Sequence, residues 1–313
     1  MINIKKPEFW DLKKPNLLSH LLLPFTIPIR INNFLLNNSS KIKTKNIFTI
    51  CVGNIYVGGT GKTPTSIKLY KILNKMNLKV LIAKKYYQNQ IDEIKLLKDN
   101  ARVISGVNRN QIINKIKNKI DVLIFDDGLQ DKKIDYDLKF VCFDASTWIG
   151  NGYLLPSGPL RESLNSLKKY DAVFLKNNKN FNVKFIKKVN PKIKIFLSNY
   201  KITNINRFNL SNNYLIFSGI GNPNDFKNSL IISNFKIVKE LIFPDHYKYT
   251  HEDILNIKKQ ALKLNAKIIT TEKDYTKLSY KEKKDIKFIK IDLKINNEKN
   301  LINFIKNKLN ETS

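Results

Sequence analysis

The sequence predicts an α/β protein: a doubly wound parallel sheet, a second, smaller α/β domain, and an apolar helical segment at the N-terminus. Three observations carry this expectation. Near-continuous Val/Ile/Phe runs alternate with helix-length segments, the pattern of parallel strands buried on both faces. A glycine-rich loop, GNIYVGGTGKTP at 53–64, directly follows the first of these runs. The alternation lapses into a polar stretch at 201–212 and then begins again. The expected parts are therefore 1–40, 41–205 and 206–313.

In chain order, the runs at 46–52, 78–83, 102–105, 121–125, 138–143, 172–175 and 193–197 read as strands. Segments 63–76 and 111–118 read as helices between them. Beyond the polar stretch, strands are expected at 214–218, 236–243, 267–271 and 288–293, with helices near 225–230, 252–264 and 301–309. The N-terminal run at 17–36, LLSHLLLPFTIPIRINNFLL, is conspicuously apolar, but Pro24, Pro28, Arg30 and the Asn32–Asn33 pair interrupt it. A membrane-spanning helix is a poor fit to such a sequence. Two readings stay open: a helical pair burying its leucines in the core, or an interfacial element lying in one leaflet with Lys5, Lys6, Lys13 and Lys14 nearby. No small-residue cleavage site follows an early apolar core, so a secretory signal is not expected.

The chain has 313 residues, enough for two domains with separate cores, and 42% hydrophobic content excludes wholesale disorder. Lysine and arginine total 56 against 26 acids, a formal net charge of +30. A field of that sign favours anionic partners: nucleic acid, an acidic membrane surface or a phosphorylated substrate. The joint excess of Lys, Asn and Ile is also what an AT-rich genome produces, so the charge is permissive only. Cys51 and Cys142 lie inside strand-like runs, which fits a reducing compartment, and no cysteine spacing suggests a zinc site.

The loop at 53–64 has the form of a phosphate-binding P-loop, a buried strand running through a glycine-rich turn into a helix N-terminus. Gly58, Gly59, Thr60 and Gly61 bring the backbone close to phosphate oxygens, Lys62 supplies a charge for the β/γ-phosphates, and Thr63 offers a hydroxyl to Mg²⁺. Pro64 suits the first helical turn, and Tyr56 stands where the strict motif has its first glycine. The larger domain is thus expected to be P-loop NTPase-like, with a nucleoside triphosphate and Mg²⁺ as its ligands. The run DVLIFDDGLQ at 121–130 has the Walker B form, an apolar strand delivering Asp126 and Asp127 at its C-terminal end opposite Thr63.

Other candidates are less specific. His246, in FPDHYKYT, follows a strand, where an imidazole is placed to accept the proton of an attacking alcohol. Asp92-Glu93 is in isolation an acidic pair opening a helix. Arg161, in GNGYLLPSGPLRE, either clamps a phosphate or pairs within the fold.

Taken together, GNIYVGGTGKTP, DDGLQ, GYLLPSGPLRE, SGIGNP, FPDHY and TTEKDYTKL resemble, in order and spacing, the tetraacyldisaccharide 4′-kinases that make lipid A in Gram-negative bacteria. The resemblance covers nearly the whole chain, and the family shares the loop without the first Walker glycine. It implies transfer of the ATP γ-phosphate to the 4′-hydroxyl of a tetraacyldisaccharide 1-phosphate. It also implies an N-terminal helix resting on the cytoplasmic face of the inner membrane; no nucleic acid is expected as a partner, and no protein partner is implied. Carried over by motif, Lys62 and Thr63 bind phosphate and Mg²⁺, Asp126 and Asp127 form the metal edge, and Gln130 completes that motif. Gln130 and Arg161 are the residues expected on the substrate side. His246 matches a histidine that works with an aspartate of an Asp-Glu motif, best matched here by Asp92, and this dyad is expected across the cleft between the lobes, which closes before chemistry. The family usually has Arg-Gly-Tyr after the second strand and a longer insertion before the Asp-Glu pair, where this chain has AKKYYQNQIDE; Asp131 replaces a common histidine. Two other readings remain: a cytosolic P-loop ATPase or small-molecule kinase with no lipid substrate, and a basic nucleic-acid-binding protein, the latter opposed by dispersed lysine charge.

Overall fold

The computed structural model describes residues 6–37, 41–44, 46–88, 90–116, 120–177 and 180–312. Its elements in the first part of the chain are α1 (Leu17–Leu21), α2 (Ile27–Asn37), β1 (Phe48–Gly53), α3 (Lys62–Lys75), β2 (Val80–Lys85), α4 (Ile91–Asn100), β3 (Val103–Gly106), α5 (Arg109–Asn114), β4 (Val122–Asp126), β5 (Leu138–Asp144) and β6 (Ala172–Lys176). There follow α6 (Asn180–Val189), β7 (Lys194–Ile202), β8 (Asn213–Ser218), α7 (Pro223–Ile232), β9 (Lys236–Ile242), α8 (His251–Lys263), β10 (Ala266–Thr271), α9 (Glu272–Tyr275), β11 (Ile286–Ile289), β12 (Ile291–Ile295) and α10 (Glu298–Thr312). The chain divides into two compact units: Met1–Lys85 with Ala101–Asn199 and Ile295–Ser313, and Tyr86–Asn100 with Tyr200–Lys294.

The larger sheet has the order β12-β7-β6-β5-β1-β4-β2-β3. β1 lies between β4 and β5 and runs parallel to both, so the chain order reverses at β1. In such sheets ligands bind beyond the strand C-termini at the reversal point. Every residue of β1 and β4 is buried, which explains why these strands read as unbroken apolar runs rather than as alternation. Register pairs Val52 with Asp126, so the end of β1, where the glycine-rich loop begins, stands beside the carboxylate that ends β4.

The smaller unit has a four-stranded sheet, β11-β10-β8-β9, with all neighbouring pairs parallel. Along β8, Tyr214 and Ile216 enter one core while Leu215 and Phe217 enter another, so both faces of this sheet are covered. At roughly 1.5–3 kcal/mol for each large apolar side chain fully withdrawn from water, these two cores are the principal source of the unit's stability. α8 starts with a reciprocal cap: Thr250 Oγ1 accepts from Asp253 N–H, and the Asp253 carboxylate accepts from Thr250 N–H.

Three expectations from sequence are corrected. The C-terminal helix α10, placed by sequence in the second domain, packs on the first unit, where Phe304 meets Phe196 and Phe140 at ring distances of 5.6 and 6.3 Å. Periodicity identifies an amphipathic helix but not which sheet its Leu301 and Ile305 will cover. Conversely, Tyr86–Asn100, expected in the first domain, belongs to the second unit. The run at 288–293 is two strands, β11 and β12, broken at Lys290, whose N–H donates to Asn204 Oδ1 and whose carbonyl accepts from Thr203 N–H, both at 2.9 Å.

The N-terminal helices exclude one of the two readings of the segment at 17–36. Leu17 is 77% exposed, Leu21 and Phe25 are each 64% and Phe34 is 66%, whereas Ser19 and Thr26 are buried. The segment is held by its polar side: Ser19 Oγ accepts from Asn151 Nδ2 at 2.9 Å, and Asn33 Nδ2 donates to the Arg161 carbonyl at 3.0 Å. The reading with leucines in the core is therefore overturned. Among the described residues no helix is long and apolar enough to cross a membrane.

Candidate active site

In the first unit the site is built on the reversal point of the sheet. After β1 the chain enters the glycine-rich loop, with φ of +140° at Gly58 and +86° at Gly61, conformations that an L side chain adopts only under strain. Gly61 is the N-cap of α3, whose first residues are Lys62 and Thr63, so the positive end of the helix dipole faces the loop. Gly59 and Thr60 lie between these glycines, and the buried Thr60 Oγ1 accepts from Asn54 Nδ2 at 2.9 Å. Asn54 Nδ2 also donates to the carbonyls of Tyr56 and Gly58, so one amide inside the loop fixes its path.

Tyr56, in place of the first Walker glycine, is 1% exposed and packs with Leu154 and Leu160. Its hydroxyl donates to Asp11 Oδ1 at 2.6 Å and also meets Lys6 Nζ. Burial and the Asp11 carboxylate beside it push the phenol far above its ordinary range, so it stays neutral. The position thus anchors the loop's base to the segment 150–160 and to the N-terminal residues.

Asp126 receives three hydrogen bonds in a buried setting. Thr63 Oγ1 donates to it at 3.2 Å, Ser66 Oγ at 2.9 Å and Lys84 Nζ at 2.9 Å. Lys84, at the end of β2, is 1% exposed, and its charge offsets the cost of burying the carboxylate. Asp127 Oδ1 lies 3.9 Å from Lys62 Nζ and 3.6 Å from the Arg161 guanidinium. Gln130 joins the same edge: its amide donates to the Asn54 carbonyl at 2.6 Å and its oxygen accepts from Arg161 at 3.2 Å. Arg161 is therefore paired with Asp127 and Gln130, and its own N–H donates to the Ile55 carbonyl at 2.7 Å.

The second unit holds a separate cluster. His246, with φ +59°, stands with Nδ1 3.0 Å from Asp92 Oδ1 and 3.1 Å from Oδ2. Asp92 and its partner histidine are thus in one unit, not on opposite lobes as the sequence suggested. Nε2 of the same ring lies 3.7 Å from Glu93 and 3.8 Å from Asp245. Lys273 Nζ is 3.0 Å from Asp245 and 3.5 Å from Asp92, and Lys277 Nζ is 3.6 Å from Asp92. Burial alone raises the Asp92 pKa, but the His246 hydrogen bond and the two lysines outweigh it and hold the carboxyl well below its ordinary range. Burial likewise opposes the Lys273 charge, and Asp245, Glu93 and Asp92 overcome it, raising the ammonium to about 12. In the tautomer whose Nδ1–H donates to Asp92, Nε2 is the ring's acceptor nitrogen.

Sequence reasoning passed over Asn54, Lys84, Arg109, Lys273 and Lys277. The last two stand in TTEKDYTKL, a motif matched as a string without a role for its lysines. Lys84 and Arg109 carry no local signal, because a single cation in a lysine-rich chain does not announce its burial.

Comparison with known proteins matches this architecture. The profile of the tetraacyldisaccharide-1-P 4′-kinase family matches residues 16–310. A curated tetraacyldisaccharide 4′-kinase from Pelagibacter ubique is 48% identical over 99% of both chains. Another from Rickettsia canadensis is 35% identical over 97% of both. The crystal structure of the Aquifex aeolicus kinase LpxK in complex with ATP superposes with a TM-score of 0.70 at 24% identity, covering 94% of this chain and all of that one. End to end, in motif order and in fold, the chain belongs to the tetraacyldisaccharide 4′-kinase family.

Proposed function

We propose that this protein transfers the γ-phosphate of ATP to the 4′-hydroxyl of a tetraacylated glucosamine disaccharide 1-phosphate, giving the bis-phosphorylated precursor of lipid A. The observation that carries the proposal is the P-loop site of the first unit in a chain 48% identical, end to end, to a curated kinase of that name. Phosphoryl transfer asks a protein for positioning and charge neutralisation more than for covalent chemistry, and the first unit's residues are of that kind. Gly58, Gly59, Thr60 and Gly61 would cradle the phosphates, and Lys62 would meet their β/γ oxygens.

The Thr63 hydroxyl, 3.2 Å from Asp126, and the adjacent Asp127 carboxylate form a hard-oxygen donor set suited to Mg²⁺. When bound there, the ion neutralises charge on the transferring phosphoryl group. Arg161, tied to Gln130, and the Lys62 ammonium add positive charge at the same edge. In the second unit, Asp92 holds His246 in the tautomer whose Nε2 accepts the hydroxyl proton as the new bond forms.

The apolar faces of α1 and α2 are the part of the chain that meets lipid, lying in the cytoplasmic leaflet of the inner membrane as a peripheral anchor. Exposed Leu17, Leu21, Phe25, Ile31 and Phe34 support this reading, with Lys13, Lys14 and Arg30 exposed among them for anionic headgroups. The decisive assay incubates purified protein with labelled ATP, Mg²⁺ and the tetraacyldisaccharide 1-phosphate in detergent micelles. Label is expected on the 4′ position. It should fall by about 10²–10³ in Lys62→Ala and Asp126→Ala. ATP hydrolysis with no transfer to the disaccharide would overturn the proposal in favour of a P-loop ATPase.

A further inference from the structure

Arg109 opens the short helix α5 and is 7% exposed, yet its guanidinium ends at the site. One nitrogen donates to the Asp127 carbonyl at 2.5 Å and another to Asp131 Oδ2 at 2.8 Å. Asp127 has φ of +61°, in the left-handed region that residues bearing a Cβ enter only at a cost. Its N–H donates to the Val52 carbonyl at 2.8 Å, at the end of β1. The backbone of Asp127 is therefore held at both polar groups, by the P-loop strand on one side and by Arg109 on the other. Only the side-chain torsions remain to aim its carboxylate, which lies toward Lys62 and Arg161.

We propose that Arg109 is a positioning residue for the reaction: clamped by Asp131, it holds Asp127 in the left-handed turn that turns its carboxylate to the nucleotide's phosphates and metal. The inference rests on the functional reading of Asp127 given above. Charge supports the clamp. Burial disfavours the guanidinium, but the Asp131 carboxylate bonded to it opposes this, and it stays a cation at any working pH. A neutral or shorter side chain cannot span both acceptors, and Asp127 then loses the restraint on its carbonyl. Groups that orient the direct ligands of a metal site typically change metal affinity or activity by about 10–100-fold when removed.

The test compares Arg109→Gln, Arg109→Lys, Asp131→Asn, the double variant Arg109→Gln/Asp131→Asn, and Asp127→Asn. Two quantities are read: the Mg²⁺ concentration giving half-maximal kcat at saturating ATP, and calorimetric affinity for ATP with and without Mg²⁺. Arg109→Gln is expected to raise the Mg²⁺ requirement by about tenfold or more and to erode the affinity gain that Mg²⁺ confers, with metal-free ATP binding unchanged. Arg109→Lys should recover part of the loss, and Arg109→Gln/Asp131→Asn should be no worse than Arg109→Gln alone, since the two act as one clamp. If Arg109→Gln lowers thermal stability but leaves both Mg²⁺ readouts at wild-type values, Arg109 is structural only and the inference fails. Should Arg109→Gln not fold, Asp131→Asn decides, and its unaltered Mg²⁺ dependence is equally fatal. Wild-type Mg²⁺ dependence in Asp127→Asn would instead overturn the functional reading of Asp127 itself.

Discussion

His246 Nδ1 lies 3.0 Å from Asp92 Oδ1, although 154 residues separate them in the chain. A carboxylate on one imidazole nitrogen fixes the tautomer and leaves the other nitrogen as base. His246→Ala is therefore expected to slow phosphoryl transfer by about 10²–10⁴, the usual contribution of a positioned general base, with ATP affinity unchanged. Asp92→Asn should be slow as well, and the double variant little slower than His246→Ala, because groups acting as one unit are not additive. Single-turnover rates with the disaccharide measure this. Multiplying defects in the double variant would show two independent roles.

The same aspartate links this cluster to acid stability. Its folded-state pKa lies below the unfolded value near ~3.9, so in the unfolded chain Asp92 binds its proton more readily. The stability it contributes is complete above that unfolded value and is lost as pH falls toward the lowered one. Wild-type protein should accordingly lose more stability than Asp92→Asn between about pH 5 and pH 2.5, by on the order of 1–2 kcal/mol. Parallel denaturant titrations across that window give the comparison. Coincident acid limbs for the two proteins would remove Asp92 from the set of stabilising carboxylates.

Tyr56 makes a counter-intuitive case. Restoring the missing Walker glycine by Tyr56→Gly ought to improve the loop if the motif were all that mattered. Instead the phenol fills a buried site against Leu154 and Leu160 and donates to Asp11. Truncating so large a buried ring is expected to cost about 3–5 kcal/mol, with no gain in ATP affinity. Thermal unfolding and nucleotide titration check both halves. A stable, tighter-binding Tyr56→Gly protein would mean that the ring only blocks phosphate.

How far the sequence foretold this molecule differs between its parts, for physical reasons. β1, β4 and β5 were legible because strands covered on both faces are dominated by apolar residues, whatever their partners. The proximity of Thr63 to Asp126 was legible because a P-loop strand and its carboxylate strand are neighbours by topology. The placement of α10 was not, since its apolar stripe suits either sheet. Nor was the site of Asp92, whose helix joins the unit holding His246, Lys273 and Lys277 rather than the one preceding it in sequence. Arg109 and Lys84 escaped notice because their meaning lies entirely in burial against Asp127, Asp131 and Asp126.

The N-terminal helices invert the usual rule, showing water their leucines and turning Ser19 and Thr26 inward. Ser19 is tied to Asn151 and Asn33 to Arg161, so the segment is docked by hydrogen bonds while its apolar side stays outward. A surface of that kind is costly in water and favourable in the headgroup and acyl boundary of a bilayer. Replacing Leu21, Phe25 and Phe34 together by glutamate removes three side chains worth roughly 1.5–3 kcal/mol each on burial. Flotation with vesicles containing phosphatidylglycerol is expected to show at least about a tenfold loss of bound protein. Added salt should weaken wild-type binding further through Lys13, Lys14 and Arg30, all exposed on this segment. Equal flotation of the triple variant and the wild type would exclude these helices as the membrane contact.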